Sequence, residues 1–284
     1  MLATLGDLVE DVVVALDAPP RYGSDTPVVV RRRRGGSAAN VAVSAARGGA
    51  SVRHLGQVGA DRVGAGLLAE MESVGVDIAS VRRVGSTGTI VVLVDGSGER
   101  TMLTDRRWCV EVADPLPSWL DAVQVLHVPF YSFVEPPLSA TAETLAGWAR
   151  ARGISISIDL SSVAVLEAFG LDEARRLLER CGADVVFANA DEAHVMNVDR
   201  PLGDAVTVVK RGADPAIVLS PGADAVEVPV PPVDRVIDTT GAGDAFAAGF
   251  LCHDIAGPGW LSDPIAACVS GHHSASELLA LLSR

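Results

Sequence analysis

Short apolar runs alternate with amphipathic stretches through the middle of the chain. Val123 to Val128, Ile154 to Ile158, Val185 to Phe187 and Val206 to Val209 read as strands, and Pro137 to Arg152, Leu171 to Cys181 and Asp191 to Asn197 read as helices between them. Strand and helix in alternation predict an α/β fold whose mostly parallel central sheet is covered on both faces. The texture changes at Thr87 to Leu103, where Thr89 to Val94 and Glu99 to Leu103 flank Asp95-Gly-Ser-Gly98, the turn chemistry of a hairpin. With strands near Val12 to Leu16 and Val28 to Arg33, this hairpin is expected to build a small separate sheet.

Two glycine turns each open a run of small residues. In Asp238-Thr-Thr-Gly241-Ala-Gly243-Asp244-Ala-Phe-Ala-Ala-Gly249, the small residues let backbone approach a ligand, and the unbroken stretch from Ala245 to Cys252 predicts a helix. Free N–H groups at its start would make an anion hole. Asp244 suits the helix dipole but would repel an anion beside it. A helix start with an N-terminal acid accounts for these residues structurally. Phosphoryl transfer from ATP to a hydroxyl accounts for both features, because it needs charge neutralised on the transferred group and a base for the attacking alcohol. The second turn, Gly35-Gly36, precedes Ser-Ala-Ala-Asn40-Val-Ala-Val-Ser, so Asn40 sits on an otherwise apolar helix. An unsatisfied amide there costs roughly 1–3 kcal/mol, which predicts a partner, either a backbone group or a substrate hydroxyl.

Asp238 to Phe250, taken with Gly35-Gly36-x-x-x-Asn40, Gly56, Gly59-x-Asp61 and Gly64, resembles the ribokinase-like, or PfkB-type, carbohydrate kinases along nearly the whole chain. The resemblance implies a single ribokinase-like kinase domain over 1–284 with a three-layer α/β/α core. A small β-sheet lid from about 12–34 and 87–107 would close over the sugar. It also implies an ATP-dependent phosphotransferase acting on a sugar or sugar-like alcohol, with a nucleoside kinase or a weakly catalytic binding module as alternatives. By resemblance Asp244 is the base, and the amides of Gly241, Ala242, Gly243 and Asp244 hold the transferring phosphate. Asp11, Gly36 and Asn40 match acceptor-binding positions, with Asp7 open in place of Asp11. Asn189 and Glu192 match an Asn-x-x-Glu motif that organises Mg²⁺, although by themselves they read as a helix cap and a first-turn acid. Lys210, the only lysine in the chain, and Gly212 fall in the segment resembling the nucleotide loop. Asp238 and Thr240 match half of a monovalent cation (K⁺) site whose other half has no counterpart here. Two further departures are Ser37-Ala38-Ala39 in place of the lysine and glycine of ribokinases proper, and Pro215 where glycine is frequent. Ribose is therefore not favoured over other sugars.

With 49% hydrophobic residues, the chain can bury a sizeable core, and its net charge of −13 argues against nucleic acid or an anionic membrane as partner. No apolar stretch is long enough to span a bilayer, and no signal peptide is recognisable, so a cytoplasmic protein is expected. The expected partner is a small-molecule sugar or nucleoside, with the lid as the surface for a homodimer. Cys109, Cys181, Cys252 and Cys268 are scattered and read as reduced core thiols. Arg31 to Arg34 cannot be buried on both faces of a strand and read chiefly as a solvated edge, one arginine gripping an anionic substrate group being the functional alternative. His272 and His273, adjacent on a helix, point apart and do not share a metal. Phe130, Tyr131 and Phe133 read as core, and Asp159 as a minor site candidate at a strand's carboxyl end. A dinucleotide fold is disfavoured because Phe246 stands where Gly-x-Gly-x-x-Gly needs its third glycine, and the lone lysine lies outside any Walker motif.

Overall fold

In the computed structural model, residues 1–96, 99–106, 108–233, 236, 238–253 and 259–283 are described. Ser97 and Gly98 of the expected hairpin turn, and Arg107 at the edge of the expected lid, lie outside them. The chain opens with β1 (Leu2–Leu5), leaves the core through β2 (Val9–Ala15) and β3 (Val29–Gly35), and returns in α1 (Ser37–Arg47). Next come β4 (Val52–Val58), α2 (Arg62–Ser73), β5 (Val76–Asp77) and β6 (Val81–Arg83), then a second excursion, β7 (Thr89–Val94) and β8 (Arg100–Asp105). Strands and helices then alternate as β9 (Val125–Pro129), α3 (Leu138–Ala151), β10 (Ser155–Asp159), α4 (Val163–Phe169), α5 (Leu171–Cys181), β11 (Val185–Asn189), α6 (Ala190–Val195) and β12 (Val206–Arg211). The remainder is β13 (Asp214–Leu219), β14 (Val226–Val228), α7 (Ala242–Leu251), α8 (Gly259–Ser262) and α9 (Pro264–Leu282).

The central sheet runs β14-β13-β12-β11-β10-β9-β1-β4-β5, with β6 also on β4. Its pairings from β12 to β5 are parallel, and β13 and β14 continue antiparallel at one edge. Successive side chains of a strand face opposite ways, so each strand feeds two cores. Leu126, Val128, Ile156, Ile158 and Val186 pack against α3–α6, while Leu2, Val125, Val185, Phe187 and Val208 pack against α1, α2 and α7–α9. Phe187 meets Phe246 and Phe250 edge-on at 6.1 and 5.2 Å, which seats α7 on the sheet. This is the three-layer α/β/α arrangement the alternation predicts.

The two excursions assemble a separate sheet in the order β3-β2-β7-β8, joined through the parallel pair β2/β7. Its limits differ from the expected ones. β2 begins at Val9 because Leu8 and Val9 are still buried where the chain leaves the core. β8 runs over 100–105 rather than 99–103; all six residues are exposed, so no alternation marks it, and pairing with β7 defines it. Asp61 ties this sheet to the core. Its carboxylate accepts from Gly64 N at 2.8 Å, capping α2, and from Thr87 N at 2.8 Å and Thr87 Oγ1 at 2.7 Å, just before β7. Cys109, Cys181 and Cys268 are buried and Cys252 half-buried, all as free thiols. Among the described residues, no helix is long and apolar enough to cross a membrane.

Candidate active site

The starts of α1 and α7 face each other. Gly241, with φ 78°, takes the left-handed conformation that turns the chain into α7 and puts Asp244 in its first turn. Asp244 Oδ1 accepts from Ser37 Oγ at 2.7 Å and Oδ2 from Asn40 Nδ2 at 2.8 Å. Asn40 therefore satisfies its amide with side chains rather than a backbone group, its Oδ1 accepting from Arg34 Nη1. Burial pushes the Asp244 carboxyl up to about 6, opposed by the bonds from Ser37 and Asn40; Asp159 adds to the rise and Lys210 offsets part of it. Gly36 has φ 96°, and a Cβ there would stand 2.1 Å from the backbone oxygen of Asp7. The glycine turn thus lies directly on the segment between β1 and β2 that carries Asp7, while Asp11, the other candidate acceptor-binding acid, follows within β2.

The solvated-edge reading of Arg31 to Arg34 holds for only half of the run. Arg31 and Arg32 are exposed, Arg32 pairing with Glu10 at 2.5 Å, but Arg33 and Arg34 turn inward. β3 is exposed on both faces from Val29 to Arg32 and meets the core only at its end, where the inner pair finds acids. Arg33 stands opposite Asp11 in the β2/β3 ladder, 3.8 Å from its carboxylate, and donates to Asp238 Oδ2 at 3.0 Å. Arg34 donates to Glu70 Oε1 of α2 at 3.2 Å. Arg106, just past β8, pairs with Asp7 at 3.1 Å and lies over the Tyr131 ring at 4.1 Å. Burial raises the carboxyl pKa of both Asp7 and Asp11, against the pull of these guanidinium groups. Arg100 donates to Thr240 Oγ1 at 2.6 Å and Thr239 Oγ1 at 3.0 Å, so strands β3 and β8 both hold the segment leading into α7. Asp238 Oδ1 accepts from Thr240 N at 2.8 Å and from the Thr240 hydroxyl.

Lys210, next to last in β12, sets its amine 2.6 Å from Asp159 Oδ2, at the carboxyl end of β10. A Cβ on Gly243 would lie 3.3 Å from the same amine, so the single lysine abuts the glycine turn. Burial pulls the Lys210 pKa down, yet Asp159, Glu192 and Asp244 together hold it above the usual value. Asn189 and Glu192 form a complete capping box on α6. Asn189 Oδ1 accepts from Glu192 N at 2.8 Å, and Glu192 accepts from Asn189 N at 2.8 Å and Nδ2 at 2.7 Å. Burial and neighbouring Asp159 raise the Glu192 carboxyl to about 7. Gly212, φ 65°, sits in the tight turn between β12 and β13 with open space around it; Pro215 follows inside β13.

The structure thus gathers Asn40 and Asp244, with Asp7 and Asp11 reached through Gly36 and Arg33, and Lys210, with Asp159, Asn189 and Glu192, around the α7 start. Phe130 and Phe133 are core as expected, while Tyr131 is only half-buried beneath Arg106. His272 is buried against Phe246 and His273 is exposed beside Glu277, so the two do point apart. Sequence reasoning missed Ser37, Arg100 and Arg106. Ser37 had a signal, because it lies three residues before Asn40 and shares its helix face. The two arginines had none, since only pairing of the small sheet carries them to Thr240 and Asp7.

A family model described as pfkB family carbohydrate kinase matches residues 1–276 of this chain. An ATP-dependent ribose-1-phosphate kinase from Halopiger xanaduensis is 32% identical over 268 residues, 89% of this chain and 82% of that one. The structure of adenosine kinase from Sinorhizobium meliloti superposes with a TM-score of 0.84 at 24% identity, over 98% of this chain and 93% of that one. A putative ribokinase II from E. coli, in complex with ATP and Mg²⁺, gives a TM-score of 0.82 at 18% identity over 98% and 92%. At such identities the two structural likenesses bear on the fold alone.

Proposed function

The chain belongs to the pfkB family of carbohydrate kinases, and from that premise we propose that it moves the γ-phosphate of ATP to a hydroxyl of a sugar or nucleoside, with Asp244 as base. The observation that carries this reading is the meeting of Asp244, half-buried and held by Ser37 and Asn40, with the positive-φ turn at Gly241 that opens α7. In this scheme the acceptor hydroxyl gives its proton to the Asp244 carboxylate while its oxygen bonds to the γ-phosphorus. The bond to the bridging oxygen breaks and ADP leaves. The amides from Gly241 to Asp244 are assigned to the transferring phosphoryl group, where fixed donors and the helix dipole stabilise charge without reorganising. Asn40 and Asp11, with Asp7 beside them, are assigned to acceptor hydroxyls. The small sheet is assigned as a lid, tied down by Arg33 and Arg100.

Lys210 is assigned to the ATP phosphates, for which it would exchange Asp159, and Gly212 to the backbone alongside the nucleotide. Lys210→Met is expected to raise the KM for ATP by about 10- to 100-fold with little change in the acceptor KM, the loss of one charged contact; equal KM values in initial-rate assays would remove the lysine from this role. Among the described residues no group of three or more His, Cys, Asp or Glu could by itself hold a metal. The oxygen donors Glu192 and Asn189, with Asp159 close by, suit a Mg²⁺ ion that keeps most of its water and takes phosphate oxygens for the rest. Bound there, Mg²⁺ would neutralise charge on the nucleotide phosphates. Asp238, matched to half of a monovalent cation site, pairs with the Arg33 guanidinium at 3.0 Å.

A base must be ionised to act. With the Asp244 carboxyl at about 6, kcat/KM should fall about tenfold per pH unit below pH 6 and level off above it; a flat profile down to pH 5 removes Asp244 as the base. The function itself is tested by ADP release with ribose 1-phosphate, ribose, fructose, fructose 6-phosphate, 2-keto-3-deoxygluconate and adenosine as acceptors. Stimulation by one of them supports the reading, and stimulation by none favours a binding module of the same fold.

A further inference from the structure

We infer that Arg34 is a positioning residue: it locks the orientation of the Asn40 amide and, through it, holds the Asp244 carboxylate ready to accept a proton. A hydrogen-bonded chain crosses four elements, α2, β3, α1 and α7. Glu70 of α2 accepts from Arg34 Nε at 3.2 Å, Arg34 Nη1 donates to Asn40 Oδ1, and Asn40 Nδ2 donates to Asp244 Oδ2 at 2.8 Å. The Arg34 side chain is only 11% exposed whereas Glu70's is 43% exposed, so the chain runs from a surface acid inward to the half-buried Asp244 carboxylate.

A primary amide has a donor end and an acceptor end of nearly equal size, and packing alone barely distinguishes them. A fixed cation does. With a guanidinium against Oδ1, the donor end must face Asp244, where it makes a charge-assisted bond to the carboxylate. Reversed, the amide would set its carbonyl oxygen against that carboxylate, losing the bond and adding repulsion. Only the planar fork of arginine spans Glu70 and Asn40 at once; a lysine amine is a single point and reaches one of them. Ser37, from the same α1 face, already occupies the other carboxylate oxygen, so Asn40 governs the remaining one.

Other charges face these groups. Asp159 on β10 and Lys210 on β12 act on Asp244, while Glu70, Arg47 on α1 and Asp244 itself act on Arg34. His54 on β4 also feels Arg34, but burial and that charge hold its pKa at about 3, so it stays neutral throughout the working range. Of these only Asp244 shares a hydrogen bond with the Asn40 amide, so the Arg34 guanidinium at one end and the Asp244 carboxylate at the other select the same orientation.

The inference rests on Asp244 being the base, so its test separates the two. In protein labelled with [¹³Cγ]aspartate and assigned with Asp244→Asn, the Asp244 midpoint is followed by NMR without any acceptor. Arg34→Met should raise that midpoint by about half to one pH unit, the loss of one hydrogen bond to the charged form. In ADP-release assays it should lower kcat by about tenfold or more and move the acid limb upward by the same increment, with the ATP KM unchanged. Arg34→Lys should fall between the two proteins. An unmoved midpoint in folded Arg34→Met protein overturns the inference. If that variant does not fold, Glu70→Ala, which only loosens the guanidinium, should shift the midpoint in the same direction, and no shift overturns the inference equally. A shifted midpoint in a protein that phosphorylates nothing upholds the relay and defeats the kinase reading.

Discussion

Asp244→Asn is expected to lower turnover by about 10²- to 10⁴-fold, the range for losing a positioned base, while leaving the binding of ATP and acceptor nearly intact. It should also make the protein more stable at neutral pH. The substitution preserves shape and bonding, since the new Oδ1 can accept from Asn40 while the new amide donates to Ser37 Oγ. What it removes is a half-buried charge whose ionised form desolvation disfavours. Because the folded-state carboxyl is raised from 3.8 to about 6, the folded protein binds the proton more tightly than the unfolded chain. The ionised carboxylate therefore costs the native state on the order of 2–3 kcal/mol above pH 6, a cost that fades as pH falls toward 4. Chemical denaturation of both proteins at pH 7.5 and at pH 4.5, with single-turnover rates at pH 7.5, checks both halves. An asparagine variant that turns over at the wild-type rate ends the assignment of the base, and one less stable than wild type at pH 7.5 contradicts the burial argument.

Gly36→Ala is expected to be the most damaging conservative change in the chain, destabilising by about 3 kcal/mol or more or preventing folding. Two costs coincide there. The backbone sits at φ 96°, which disfavours a residue with a Cβ by roughly 1–2 kcal/mol, and the new methyl would stand 2.1 Å from the Asp7 carbonyl oxygen, which is main chain and cannot step aside. Its neighbour provides the control. In Gly35→Ala the methyl meets Asp11 Oδ1 at 2.0 Å, the end of a side chain that can rotate. That variant should fold with a smaller loss and show its effect as a higher acceptor KM, because Asp11 is displaced. Urea denaturation ranks the two, and a Gly36 variant as stable as the Gly35 variant would refute the distinction between backbone and side-chain obstruction.

Much of the core was legible because its signal is local. The strand at Val185, the helix over 171–181 and the turn at Gly241 each follow from residues within a few positions, and their limits are met to within a residue or two. The small sheet was legible in outline but not in extent. β8 is exposed along its whole length, so nothing in its own pattern marks where pairing begins. Asn189 and Glu192 show the converse. Their spacing announces a capping box, and a capping box forms, leaving any service to Mg²⁺ to rest on the nearby Asp159 and on phosphate.

The sequence by itself determined the layered α/β architecture, the two glycine turns that open small-residue helices, and the family to which these motifs point. Periodicity, turn chemistry and motif spacing are properties of neighbouring residues, so a linear reading reaches them. Only the tertiary structure decided what the charged groups do. It paired Lys210 with Asp159, turned Arg33 and Arg34 inward while leaving Arg31 and Arg32 outside, and brought Arg100 at the start of β8 and Arg106 just past its end to the site. A charge buried in a folded chain needs a partner, and that partner is whichever opposite charge the packing of sheets and helices sets beside it, at any distance along the sequence.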